Sequence, residues 1–326
     1  MAVYDARGGN NVHIDVVLSN VSVAIQNNGY IADVIAPQVP VSKQSNKYYI
    51  FGREAWVLEP GSDLRAPGSG AAEIPGLQVS TDSYFCQEHA LQIAVADEER
   101  ENADNPLSPD RDGAELVANK ILLQREVTVQ TLATTAANLG SGYSVTLSGT
   151  SQWNDYTNST PIPNVKTGIR KIHSGIFTEP NRAVIPYAVM STLEDHPSFV
   201  DRVKYTSSNS VTPEVVGRLL GLTQNVTIPG IGINSARMGQ AESLTYLWGK
   251  DVFMFYAPDR PALKTPSFMY EFVWPLSGQL MPTDRYRDEE RISDVIRVRR
   301  RYVHKFITLD GSSKAIAAYL IKAAIA

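Results

Sequence analysis

The chain has 326 residues, of which 43% are hydrophobic and 20% charged, which is the composition of a folded protein that can bury a sizeable core. Its formal net charge of −4 excludes proteins that coat nucleic acid through a broadly basic surface. Because Cys86 is the single cysteine, and because no secretory signal and no membrane-length apolar run occurs, we predict folding in the cytosol without a disulfide.

Residues 1–43 contain two apolar segments, DVVLSNVSVAI and YIADVIAPQVPV, separated by Asn27, Asn28 and Gly29. Two prolines, Pro37 and Pro40, stand near the end of the second segment. This pattern predicts a helix or strand followed by an extended arm that lies on another part of the molecule.

Residues 44–96 have a β pattern interrupted by a stretch rich in glycine and proline. The segment YYIFGREAWVL runs outward, and SYFCQEHALQIAVA returns with Leu91, Ile93 and Val95 at alternate positions. We predict a long hairpin of about ten residues per arm, about 35 Å long, with EPGSDLRAPGSGAAEIPG as its broad tip. Because an isolated two-stranded hairpin is only marginally stable, it either packs on its own core or pairs with another chain.

An acidic stretch, residues 97–104, precedes a long helix predicted at residues 109–136. The acidic side chains lack EF-hand spacing, so we interpret them as solvated surface. Ser108 is a suitable N-cap, Pro109 suits the first helical position, and apolar side chains recur with a period near 3.6. Gln124, Arg125 and Glu126 interrupt this apolar seam. The pattern predicts one buried face with a polar break, which also fits a helix of an ordinary bundle.

Short helices and strands alternate from residue 165 onward. After a loop rich in Ser, Thr, Asn and Gly, a helix capped by Asn164 is predicted, then a strand and helix in RAVIPYAVMSTL and a helix in TPEVVGRLLGL. NVTIPGIGI predicts a strand, and LTYLWGKDVFMFYA a hairpin that turns near Gly249 and Lys250. The last predicted strands are SFMYEFVWPL and RISDVIRVRRRYVHKFITL.

The arginine-rich end of the chain has two interpretations. Seven arginines and five carboxylates lie between Asp284 and Arg301. Arginine beside Tyr302 could hold phosphate and stack a base, but the carboxylates favour ion pairs between strands or between subunits.

Sequence motifs for catalysis and cofactor binding are missing. The chain contains no G-x-x-x-x-G-K-[ST], no G-x-G-x-x-G and no G-x-S-x-G, and its five histidines form no zinc motif. We therefore predict no catalytic, cofactor-binding or metal-binding residue, no cofactor and no enzyme activity.

The order of arm, long hairpin, acidic entry, long helix and α+β unit resembles the major capsid proteins of tailed bacteriophages, which have the Hong Kong 97 fold. The stretches SGTSQWNDYTNSTPI, RAVIPYAVMSTLEDHPSFVDRVKYT, TPEVVGRLLGL and YLWGKDVFMFY are similar to those of lambda-type relatives. The resemblance implies an α+β chain divided into an N-terminal arm (1–43), an extended hairpin or E-loop (44–96), a peripheral domain with the spine helix (97–175), an axial domain (176–282) and return strands with the C-terminus (283–326).

The resemblance also implies a structural subunit that forms pentamers and hexamers of an icosahedral virion shell around double-stranded DNA, bound without sequence specificity. The shell would assemble in the host cytoplasm with a scaffolding protein, a portal and a decoration protein, and without a membrane. The alternatives are an encapsulin-like nanocompartment shell and an α+β ligand-binding protein or enzyme. The predicted contacts between subunits are Arg53, Glu54, Trp56, Leu58, Arg65, Arg285, Arg287, Asp288, Glu289, Arg297 and Arg299.

Overall fold

The computed structural model describes residues 29–326 except 52–63, 66, 72, 74–78, 104–106, 205–210, 223–225, 237–238, 263 and 277. The helices are α1 (Ala32–Ile35), α2 (Asp97–Glu101), α3 (Pro109–Thr134), α4 (Pro161–Ile176), α5 (Tyr187–Glu194), α6 (Pro197–Val203) and α7 (Pro213–Leu220). The strands are β1 (Gln38–Pro40), β2 (Ser45–Phe51), β3 (Val79–Phe85), β4 (Gln87–Ala96), β5 (Ser144–Thr146), β6 (Arg182–Val184), β7 (Val226–Thr227), β8 (Gly232–Asn234), β9 (Leu244–Tyr246), β10 (Val252–Phe255), β11 (Met269–Val273), β12 (Thr283–Asp288), β13 (Ser293–Phe306) and β14 (Ala318–Lys322). Within these residues, no helix has both the length and the apolar character needed to cross a bilayer.

The first sheet is built around the long strand β13. Strand β4 pairs antiparallel with β13 from Gln87 opposite Tyr302 to Ala96 opposite Ser293. Strands β12 and β11 pair antiparallel with the opposite side of β13, along residues 293–298 and 302–306 respectively, and β1 adds in parallel to β11. The arm therefore contributes one strand, β1, to this sheet. The other strands of the sheet lie some fifty to more than two hundred residues later in the sequence.

The second sheet has the order β5-β14-β10-β6-β7. Its middle strands are apolar on both faces, since every residue of β10 is buried and β14 is buried from Ala318 to Ile321. Helices α4, α5 and α7 pack around this sheet, and the cluster they share forms the main hydrophobic core. Gly168 lets α4 approach closely, because a Cβ there would lie 2.4 Å from Met254 Cε.

The predicted long helix is confirmed as α3, and it packs on β4 and β13. Pro109 is its first residue, as predicted, but the Ser108 side chain makes no capping hydrogen bond. Instead, the backbone N–H of Ser108 donates to Asp112 Oδ2 over 3.3 Å. Val117 and Ile121 contact Val298 of β13, so the predicted apolar seam faces the first sheet over this part of the helix.

The predicted hairpin is present in the described residues as strands β2 and β3, and residues 52–58 of its predicted outward arm lie outside them. Strands β2 and β3 pair over seven residues each, from Ser45 opposite Phe85 to Phe51 opposite Val79. At buried Cys86 the returning chain leaves the hairpin, and β4 pairs with β13 instead of with β2. The prediction of residues 87–96 as a hairpin arm was therefore wrong in its partner, because periodicity identifies a strand but not the strand with which it pairs.

Other local predictions were wrong at element boundaries. Helix α4 starts at Pro161 with Thr160 at the N-cap position, so Asn164 lies inside the helix. NVTIPGIGI is divided between β7 and β8, because residues 228–231 leave the strand geometry. The segment around Gly249 forms no hairpin, since β9 pairs with β8 whereas β10 pairs with β6 and β14. Leu247 and Trp248 are buried there, so the turn that joins β9 to β10 is part of the core.

The predicted domain boundaries stay a prediction. Strand β14, in the predicted segment 283–326, lies in the middle of the second sheet, whereas β12 and β13 of that segment belong to the first. The chain after residue 283 thus connects both sheets.

Candidate functional site

The polar break of the long helix is a buried anchoring site for the arm. The carboxylate of Glu126 accepts hydrogen bonds through Oε2 from the backbone N–H groups of Ile31 (3.1 Å) and Ala32 (2.8 Å). Its Oε1 accepts a hydrogen bond from Trp248 Nε1 at 3.2 Å. Burial raises the pKa of Glu126, although these hydrogen bonds oppose the shift. One side chain therefore joins the arm, the long helix and the loop before β10.

The neighbouring residue, Arg125, forms the second half of this site. Its Nε donates to Glu271 Oε2 over 2.8 Å, and its Nη2 contacts both Glu271 and Asp33. Arg300 of β13 donates from Nη2 to Glu271 Oε1 over 3.0 Å. Two arginines thus share the fully buried carboxylate of Glu271, and Asp33 supplies the second negative charge.

The charges of this cluster set the protonation of its neighbours. Burial alone would raise the pKa of Asp33, but the hydrogen bond and the positive charge of Arg125 outweigh it and lower the pKa. His304 pairs with Glu271 across β11 and β13. Burial, aided by the positive charges of Arg125 and Arg300, lowers the pKa of His304 to about 4, so its ring is neutral at pH 7.

Tyr30 and Arg182 extend the anchoring of the arm on both sides of Glu126. The hydroxyl of Tyr30 donates to the backbone oxygen of Asn119 at 3.3 Å, and Arg182 Nη1 donates to the backbone oxygen of Val34 at 2.8 Å. Since Arg182 belongs to β6, residues 30–34 connect the long helix with the second sheet. We call residues 30–34, with Arg125, Glu126 and Glu271, the arm anchor.

A second, more exposed charge network lies where β12, β13, α2 and the start of α3 meet. Arg287 forms two hydrogen bonds with the carboxylate of Asp97, at 2.7 and 2.6 Å. Arg100 bridges Asp110 at 3.0 Å and Asp294 at 2.9 Å. These hydrogen bonds raise the pKa of Arg287 and lower the pKa of Asp97, each chiefly through the partner.

The predicted contact residues on β12 and β13 come together within one subunit. Arg285 pairs with Asp294 and Asp110, Arg297 pairs with Asp284, and Arg299 pairs with Asp284 and Glu88. This arrangement matches the ion pairs between strands that the mixed charges favoured. A contact of the same residues with a second copy stays a prediction.

The other predicted contact residues have few partners in the described chain. Asp288 accepts hydrogen bonds from the backbone of Glu290 and Arg291 in the turn after β12, and Glu289 is exposed with Arg287 Nε 3.9 Å away. Arg65, in the segment predicted as the hairpin tip, is exposed. Arg53, Glu54, Trp56 and Leu58 lie outside the described residues.

Sequence reasoning missed Glu271, and it identified Arg125 and Glu126 as a polar break without predicting their burial or their partners. The signal for Glu271 was a single acidic residue within the apolar run SFMYEFVWPL. A carboxylate in the middle of a buried strand needs a cationic partner, which the arginines of the long helix and of β13 provide. Within the described residues, no group of three or more His, Cys, Asp or Glu side chains is placed to hold a metal ion.

Comparison with known proteins gives phage capsid relatives in both sequence and structure. The chain is 27% identical over 244 residues to the major capsid protein of Pseudomonas phage JBD67, covering 74% of this chain and 77% of that protein. It is 24% identical over 248 residues to the major capsid protein of Burkholderia phage BcepMu, covering 75% and 76%. No family model matches the chain.

Solved structures give the same result for the fold. A phage-related protein of Bordetella bronchiseptica RB50 superposes with a TM-score of 0.66 at 24% identity, covering 95% of this chain and 97% of the other. The capsid structure of cyanophage P-SCSP1u gives a TM-score of 0.60 at 10% identity, with 95% and 93% covered. The predicted α+β fold of the Hong Kong 97 type and the resemblance to phage major capsid proteins are thereby confirmed.

Proposed function

We propose that this chain, which has the fold and the sequence relatives of phage major capsid proteins, is the structural subunit of a phage head. Copies would assemble into pentamers and hexamers and close an icosahedral shell around double-stranded DNA. The observation that carries the proposal is the similarity over three quarters of two phage major capsid proteins, together with a fold shared over nearly the whole chain.

The described fold supports a structural role in two ways. The long helix and the arm anchor connect the two sheets through buried hydrogen bonds and ion pairs. Such connections make the subunit rigid, as a shell building block requires. The hairpin of β2 and β3 carries exposed apolar side chains, among them Tyr49, Val79 and Phe85. Exposed apolar side chains on a two-stranded hairpin favour a contact with another subunit.

The proposal includes the partners expected of such a shell. A scaffolding protein, a portal and a decoration protein would complete the particle, and assembly would take place in the host cytoplasm. Packaged DNA would meet a wall of mildly acidic net charge, which holds nucleic acid weakly and without sequence preference. The function is structural, and no catalytic step is assigned to the chain.

Expression of the protein alone and with its neighbouring genes tests the proposal. Electron microscopy and light scattering should show closed shells, tubes or free hexamers. A monomer under every condition, including with the scaffolding partner, would contradict it. Deletion of residues 61–76 at the hairpin tip should leave a folded subunit that builds no closed shells. Ser312→Ala in the exposed turn between β13 and β14 keeps the backbone N–H that donates to Asp310 Oδ1, and is a control that should still assemble.

Charge reversal tests the predicted contact at the turn after β12. Because the Glu289 side chain is 86% exposed and its ion pair with Arg287 is long, Glu289→Lys should leave subunit stability unchanged. If this turn meets a second copy, shell yield should fall. Glu115→Lys on the exposed face of the long helix is the matched control.

A further inference from the structure

Strand β4 lies at the edge of the first sheet. The hydrogen bond just beyond its end shows which of its residues direct their backbone groups toward β13. The backbone N–H of Asp97 donates to Ile292 O at 3.2 Å, directly beyond the pairing of Ala96 with Ser293. In an antiparallel ladder, hydrogen-bonded pairs alternate along the strand. The odd-numbered residues of β4 therefore direct their N–H and C=O groups toward β13, and the even-numbered residues direct theirs outward.

Hydrogen bonds on the opposite side of β13 agree with this alternation. Trp274 N donates to Arg301 O at 3.0 Å, and Arg299 N donates to Pro282 O at 3.1 Å. The backbone N–H and C=O groups of odd-numbered residues of β13 thus point toward β11 and β12. Those of its even-numbered residues point toward β4. The N–H and C=O groups of Glu88, Ala90, Gln92 and Ala94 accordingly point to the outer edge of β4. In the described part of the chain, no strand pairs along that edge.

This edge lacks the features by which proteins usually protect exposed strands. Such features are short length, proline, lysine and other charges. Strand β1 has three residues and ends at Pro40, and β12 is largely charged (TDRYRD). Strand β4 has ten residues, QEHALQIAVA, with one carboxylate, Glu88, and no lysine, arginine, proline or glycine. Leu91, in its middle, is 45% exposed.

We propose that an extended segment of a second copy of this chain pairs along the outer edge of β4 and continues the first sheet across the contact between subunits. The inference rests on the proposed self-assembly. It is favoured by continuity, since β3 of the hairpin leads through Cys86 directly into β4. A hairpin that lay against a neighbouring subunit through its exposed Tyr49 and Phe85 would bring that neighbour's backbone close to this edge. Backbone pairing of this kind supplies several hydrogen bonds without requiring particular side chains.

A pair of proline substitutions separates this contact from folding. Ala90→Pro removes an outward N–H from an edge strand, where proline is tolerated, whereas Leu91→Pro removes an N–H that bonds to β13. We expect Ala90→Pro to keep the circular dichroism spectrum and unfolding midpoint of the natural protein. Its critical concentration for shell assembly should rise by roughly tenfold or more. Leu91→Pro should lose the fold.

A photo-crosslinking amino acid at Ala94, an exposed outward position, identifies the strand that occupies the edge. Mass spectrometry of assembled shells should find Ala94 joined to a second copy, shown by mixing isotopically light and heavy subunits. Attachment within one chain, attachment to another protein, or shells formed equally well by Ala90→Pro would overturn the inference while leaving the capsid proposal intact. Failure of the natural protein to self-associate would instead overturn both.

Discussion

Arg125 of the long helix donates from Nε to Oε2 of Glu271 over 2.8 Å, and both side chains are shielded from solvent. The two residues are far apart in sequence and come from different structural units, the helix and the first sheet. Their pairing is stabilised by Arg300 and Asp33, so that two positive and two negative charges compensate one another. The buried pair fixes where the helix lies on the sheet.

Removal of the shared carboxylate of Glu271 should therefore destabilise the subunit strongly. Glu271→Ala leaves Arg125 and Arg300 buried without their main partner, which should lower the free energy of unfolding by about 3–5 kcal/mol. Denaturant unfolding of the unassembled subunit measures this loss. Glu98→Ala, on the exposed helix α2, is the control and should change stability by no more than about 0.5 kcal/mol. A loss at Glu271 as small as that of the control would show that the cluster does not hold the helix in place.

Replacement of the anchoring carboxylate should loosen the arm. In Glu126→Gln one oxygen can still accept from Ile31 and Ala32, but the amide NH₂ then faces Trp248 Nε1, a second donor. We expect a loss of about 1–3 kcal/mol, with faster hydrogen exchange at the backbone of residues 31–36. Gln124→Ala, two positions earlier and exposed, should leave that exchange unchanged. Equal protection in both variants would contradict the anchoring role.

Stability should depend on pH through His304. Its pKa is lowered from 6.5 to about 4 in the folded protein, chiefly by burial. Between these values the unfolded chain binds a proton that the folded chain does not. The free energy of unfolding therefore falls as pH falls from about 6.5 to about 4, by at most about 1.4 kcal/mol per pH unit from this group.

His304→Phe keeps an aromatic ring and removes the titration, so its stability should fall less steeply over the same range. The measurement is denaturant unfolding at several pH values. His173→Phe, on the exposed face of α4, is the matched control and should retain the slope of the natural protein. Parallel pH profiles for His304→Phe and the natural protein would refute the assignment.

Close packing of α4 on the second sheet should make Gly168 intolerant of a side chain. Alanine is favoured over glycine in helices by about 1 kcal/mol. At Gly168, however, the added Cβ would lie 2.4 Å from Met254 Cε and 2.7 Å from Tyr319 Cδ1. We expect Gly168→Ala to be destabilised by about 1–3 kcal/mol. Gly70→Ala meets no atom within 4 Å and should be nearly neutral, and thermal unfolding compares the two.

Local patterns predicted the elements better than their partners. Pro109 and the period of 3.6 located α3 to within two residues at its end, because start signals and amphipathicity act within one element. The alternation of Leu91, Ile93 and Val95 correctly predicted a strand, yet its partner begins about two hundred residues later. Pairing over such separations depends on which edges and faces remain free after folding, and sequence periodicity does not encode this.

The arm anchor was hidden for a related reason. In the sequence Arg125 and Glu126 interrupt an apolar seam, and charged residues are seldom buried unless they are paired. They are buried because Glu271, Asp33, Trp248 and two backbone N–H groups satisfy them from distant parts of the chain. The lone Glu271 within MYEFV was the available clue, and one acidic residue in an apolar strand does not name its partner.

The position of β14 in the middle of the second sheet has a consequence for synthesis on the ribosome. Residues 318–322 are translated after every other strand of the described fold, yet β10 and β5 flank them on either side. Until this segment leaves the ribosome, one side of β10 is unpaired and the main core is incomplete. Polypeptides that terminate before residue 318 therefore lack a finished core and should not fold into subunits that can assemble.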